Sequence, residues 1–130
     1  MMKKLILTLL CLISLFPACG PTEGDDKNII SIELTVPDAA WEIEINEIYE
    51  VENELWVIAE LNRKTGFAAQ VISKIKDSVE IHHKKLTVKY YVIGKTWQWE
   101  NKEEIHFIKS KSDIEDFIKN QEQIYKAKNF

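Results

Sequence analysis

Four apolar residues at alternate positions, Ile30, Ile32, Leu34 and Val36, with Ser31, Glu33 and Thr35 between them, constrain this chain more than any other stretch. Successive side chains of a strand point to opposite faces, so a period of two means one dry face and one wet face. The pattern recurs along the chain. Pro37-Asp38 breaks the first run, and Trp41, Ile43 and Ile45 then alternate with Glu42, Glu44 and Asn46. "VENEL" around Asn53 predicts a turn. Leu55 to Leu61 is nearly all apolar, which predicts a central strand covered on both faces. After the polar loop "NRKTGF", residues 68 to 81 predict one long or two short strands with a bend near Asp77-Ser78. Leu86, Val88, Tyr90 and Val92 alternate with Thr87, Lys89 and Tyr91 as a further strand. Gly94 starts a turn or bulge, and Ile105 to Ile108 is a short last strand.

The period changes near the C-terminus. Ser112-Asp113-Ile114-Glu115 has the pattern of a helix capping box. Ile114, Phe117, Ile118, Gln121, Ile124 and Tyr125 follow at helical spacing, which predicts a helix over about 112–127. The expected fold is therefore mainly β: a small antiparallel β-sandwich or curved sheet with one C-terminal α-helix. No alternating βαβ pattern is present, which counts against a dinucleotide fold.

The first 18 residues read as a secretory signal. Lys3 and Lys4 precede an apolar and small-residue run, Leu5 to Phe16, too short to span a bilayer. The run leads to "LFPACG", which resembles the lipobox of bacterial lipoproteins, departing from it with Phe16 at the first position, usually Leu, and Pro17 at the second. The resemblance implies that Cys19 is acylated and becomes the mature N-terminus. Cys11 would leave with the signal, so Cys19 would be the sole remaining cysteine, and lipidation accounts for it. Acyl chains bind membranes at about 0.8 kcal/mol per buried CH2. Residues 19–28 contain "GPTEGDDKN" and read as a tether, leaving 29–130 as a single domain. The expected location is the cell envelope, on the periplasmic face of the outer membrane or at the cell surface, since Gly20 is not an Asp retention signal.

Charge narrows the partners. Beyond residue 18 the chain has 15 basic and 21 acidic residues, a net −6. Residues 23–60 carry 12 acids and one base, whereas 61–130 carry 9 acids and 14 bases. The acidic first half argues against a nucleic-acid binder, and the two halves suit pairing across a folded sheet.

"YVIGKTWQWEN" includes Gly94-Lys95-Thr96, the tail of a P-loop, but Lys89 occupies the position of the required first glycine. Strand-like residues follow in place of a helix, so no nucleotide is expected. Trp97 and Trp99 would share one face of a strand, either in the core or as a flat aromatic platform for sugars, peptides or a protein. Tyr90, Tyr91, Trp41 and Trp56 carry the same two alternatives and lean further toward core. His82 and His83 would point to opposite strand faces, and with His106 they lack a ligand set, so no metal or other cofactor is expected. Ser73, Ser78, Ser110 and Ser112 lie in no nucleophile turn, and Glu42 with Glu44 reads as a solvated strand face rather than a glycosidase pair. No catalytic residue is expected.

Residues 39–81, "AAWEIEINEIYEVENELWVIAEL…GFAAQVISKIKDSVEI", resemble the C-terminal β domain of the bacterial protease-complex protein PrcB and similar secreted β modules. Ala39-Ala40 stand where those modules have Gly-Gly. The resemblance implies an inhibitor-like or stability module. The expectation is a non-enzymatic, lipid-anchored envelope module that contacts a protein or another envelope component. Its contact surface is expected at Tyr90, Tyr91, Lys95, Trp97 and Trp99, with Arg63 and Phe67 of the "NRKTGF" loop as second choice. The alternative is a periplasmic inhibitor or regulator of a protease or other hydrolase.

Overall fold

A computed structural model describes residues 27–66 and 69–128. Seven strands form in chain order: β1 (Lys27–Val36), β2 (Trp41–Val51), β3 (Glu54–Arg63), β4 (Ser73–His82), β5 (Thr87–Ile93), β6 (His106–Ile108) and β7 (Glu122–Lys126). A 3-10 turn (Lys111–Asp113) and a single helical turn, α1 (Glu115–Ile118), separate β6 from β7.

The strands make two sheets. β1 and β4 pair antiparallel as a ribbon, and the other five form a sheet in the order β6-β5-β3-β2-β7. The ribbon lays Ile30, Ile32, Leu34 and Val36 against Ile43, Ile45, Leu55, Val57 and Ala59. β3 is the central strand, buried on both sides as its apolar run requires. Its other face packs Trp56 and Ile58 with Tyr49, Val51, Tyr91 and, from the turn and α1, Ile114 and Ile118. The sheet is thus covered by a ribbon on one face and by the α1 segment on the other.

A bulge in β2 lets both faces fill. Ile45 pairs with Ala59 and Glu47 with Ile58, leaving Asn46 as the extra residue. One inserted residue reverses the facing of everything after it. Odd-numbered Trp41, Ile43 and Ile45 therefore join the ribbon-side core with Ile48, whereas Tyr49 and Val51 face α1. Asp77 on β4 accepts the Ile45 amide at 2.8 Å, and the Tyr90 hydroxyl donates to Ser31 O at 2.7 Å, so side chains bridge the two sheets.

Several sequence expectations give way. The helix over 112–127 is replaced by the 3-10 turn, α1 and β7. β7 pairs with Glu47–Glu50 of β2, satisfying backbone groups on an edge that a helix could not reach. Ile124 and Tyr125 still bury against the core, but from a strand. The capping box shifts as well: the Asp113 carboxylate, not that of Glu115, turns back, accepting from the Lys109 and Ser110 amides at 2.9 and 3.4 Å. The large sheet is mixed, not antiparallel throughout, because β5 runs parallel to both β3 and β6. β4 runs without a bend through Asp77-Ser78, held in register against Ile32 and Ser31.

Candidate functional site

The start of β2 and the ends of β1, β3 and β5 meet at one pole. Trp41 pairs with Arg63, and Glu60 with Ile93. Gly94 leaves β5 here with φ +109, where a β-carbon would run into the Leu61 backbone. The chain from Lys95 to Ile105 then loops across the pole before entering β6.

That loop is pinned by a hydrogen-bonded chain. The Trp97 indole donates to Asn101 Oδ1 at 2.9 Å. Asn101 Nδ2 donates to Thr35 O at 2.8 Å and to Glu103 Oε1 at 3.0 Å. Glu103 Oε2 accepts from the Thr35 hydroxyl at 2.7 Å and the Thr35 amide at 3.0 Å. Burial works against the Glu103 charge, but the hydrogen bonds from Thr35, Asn101 and backbone amides outweigh it and hold the carboxyl below its ordinary pKa.

On this support sits an aromatic cluster. The half-buried Trp97 meets buried Trp41 edge-on at 5.2 Å between ring centroids. Trp99 lies 5.5 Å from Trp97 at a tilt of 36° and stays 39% exposed. Phe107 of β6 meets Trp97 edge-on at 6.5 Å. The Lys95 ammonium stands 4.6 Å from the Phe107 ring centre and 5.7 Å from that of Trp97. Trp97 and Trp99 do share a surface, but not on a strand: residues 94–105 are irregular. The pair is neither core nor free platform, since Trp97 is anchored and Trp99 is presented.

The structure divides the expected contact residues. Lys95, Trp97, Trp99 and Arg63 all lie at this pole. Arg63 is engaged there, donating to Asp38 Oδ2 from Nε at 3.2 Å and from the guanidinium tip at 3.0 Å. The Ala40 amide, with Arg63, holds the Asp38 carboxyl below its ordinary pKa despite partial burial. Tyr91 is not surface. It is 8% exposed in the core under α1, between Trp56 at 4.8 Å and His106 at 5.0 Å. Tyr90 points to the opposite face, half-buried against the ribbon. Neighbours on a strand must diverge, and both faces of β5 are covered. Cys19 and Phe67 lie outside the described residues.

His83 Nε2 lies 2.9 Å from Glu50 Oε1, and His106 stacks on Tyr91. Among the described residues no group of three His, Cys, Asp or Glu side chains could hold a metal ion, and no helix is long and apolar enough to cross a membrane.

A second polar cluster lies on the α1 side. Glu47, 3% exposed, accepts from Lys111 Nζ at 3.2 Å, Gln123 Nε2 at 3.1 Å and Tyr49 OH at 3.2 Å, all on Oε2. Its Oε1 has the Lys111 ammonium 2.8 Å away and no hydrogen bond of its own. The hydrogen bond with Glu47 raises the Lys111 pKa, against burial that lowers it. The sequence does carry a trace of this cluster: Ile45 and Ile48 are three apart where strand periodicity requires two.

Comparison with protein-family models, curated proteins and solved structures gives no match. The functional reading therefore rests on the residues of this chain.

Proposed function

We propose that this protein is a lipid-anchored cell-envelope binding module without catalytic activity, and that the Trp97–Trp99 pole contacts a protein or another envelope component. One observation carries the reading: Trp99 is held in the open on a Trp97 that is itself tied to Asn101. An exposed indole on a rigid support loses little freedom on binding and offers a large apolar contact. A hydrolase regulator acting through the "NRKTGF" loop is less favoured, because Arg63 is occupied by Asp38.

The test is retention of detergent-solubilised envelope components on the immobilised protein. Trp99→Ala is expected to weaken retention at least tenfold while leaving the melting temperature nearly unchanged, since the side chain is exposed. Undiminished retention by this variant would remove the pole as the contact surface.

A further inference from the structure

Trp97 lines a cleft of about 420 Å³ with a defined charge. Lys95, Thr96, Trp97, Phe107 and Lys109 are among the residues that line it. No acidic side chain is among its walls. Among the described residues neither Lys95 nor Lys109 has a carboxylate within ion-pair distance. The Asp113 carboxylate accepts the backbone amides of Lys109 and Ser110. Two ammonium groups without an ion pair share this acid-free cleft. Their field favours an anion. Lys95 is moreover placed, because its ammonium rests over Phe107 rather than extending freely into solvent.

We infer that this cleft binds an anionic saccharide, a sugar bearing a carboxylate or phosphate group. The sugar ring would lie against Trp97, and the acid group would sit between Lys95 and Lys109. A pyranose presents one apolar face of C–H groups and a rim of hydroxyls. The face suits an indole, and the rim suits the exposed Thr96 hydroxyl. This inference rests on the reading of the Trp97–Trp99 pole as the contact surface, and it specifies the chemistry of the ligand.

The experiment is calorimetric and tryptophan-fluorescence titration of the whole protein with galacturonate oligomers, a phosphorylated monosaccharide, and neutral glucose oligomers of matched length. Saturable binding of an acidic sugar with a shift in tryptophan emission is expected, at least tenfold tighter than the neutral oligomer. Lys95→Gln and Lys109→Gln should each weaken it about fivefold or more, and the melting temperatures of these surface variants should stay within a few degrees of the parent. Salt at about 1 M, where the screening length falls to about 3 Å, should abolish most of it. Response to the oligomer but not the monosaccharide identifies a polymeric glycan as the source, and the converse identifies a free sugar acid.

Equal binding of the neutral oligomer, no saturable response to either acidic sugar, or equally tight binding of a single-stranded oligonucleotide would each overturn the inference. If envelope retention depends on Trp99 but is untouched by Lys95→Gln and Lys109→Gln, the anionic-sugar assignment fails while the binding module stands. If acidic sugar binds through the lysines and Trp99→Ala leaves envelope retention unchanged, the Trp99 contact surface fails while the sugar assignment stands.

Discussion

Gly94 ends β5 with φ +109, and a β-carbon built there would sit 2.9 Å from the Leu61 carbonyl oxygen. That neighbour is backbone of the central strand and cannot swing away. Gly94→Ala is therefore expected to cost about 2 kcal/mol or more, read as a lower midpoint in urea unfolding. An unchanged midpoint would show that the loop re-packs around the added methyl. Glu103 sets a pH dependence at the same pole. Its folded pKa lies below the ordinary value of 4.5, so its contribution to stability is complete above pH 4.5 and is lost as pH falls through the lowered value. The melting temperature of the parent should exceed that of Glu103→Gln near neutrality and converge toward it in acid; a gap that stays constant with pH would contradict this. The sequence located the important loop, "GKTWQWEN", and the bend at Gly94. It could not show how the tryptophans face, because alternation has meaning only on a strand, and this loop takes its shape from Thr35 and Asn101.

At the scale of elements, strands were legible wherever one face is wet and the other dry, as in β1 and the first half of β2. Three features were not. Parallel pairing of β5 leaves no mark on periodicity, since both neighbours bury the same alternate residues. The residues 112–127 fit a helical period, yet an isolated helix of this length is marginal in water, and the open edge of β2 offers Ile124 and Tyr125 a ladder as well as a core. The bulge at Asn46 turns Glu47 inward, where Lys111 from the 3-10 turn and Gln123 from β7 meet it. This shared carboxylate ties the C-terminal elements to β2. Lys111→Met should leave Glu47 buried without its counter-ion. Breaking a fully buried pair costs about 3–5 kcal/mol, and the Lys111 side chain keeps 33% of its surface in water, so about 1–3 kcal/mol is expected. Adding Glu47→Gln to Lys111→Met should recover part of the loss in thermal or urea melts. Strict additivity of the two would mean that the pair is not coupled.

For the whole molecule, the lipid anchor proposed at Cys19 is tested by fractionation. Cys19→Ser is expected to abolish acyl labelling and to move the protein from the membrane fraction to the soluble one. Unchanged partitioning would remove the anchor from the functional reading. The geometry of β1 gives such an anchor a direction. The strand begins at Lys27, beside His82 and the end where β2 turns into β3, and finishes at Val36, where Asn101 and Glu103 grip Thr35. Ten strand residues at about 3.3 Å each separate the two ends by about 30 Å. If the proposed anchor holds the N-terminus, Trp99 and the two lysines lie at the end of the domain opposite the start of β1, about one strand length further from the anchor point. In a module so anchored, lengthening or shortening the β1–β4 ribbon would change how far the tryptophan pole stands from its mooring while leaving the pole itself unaltered.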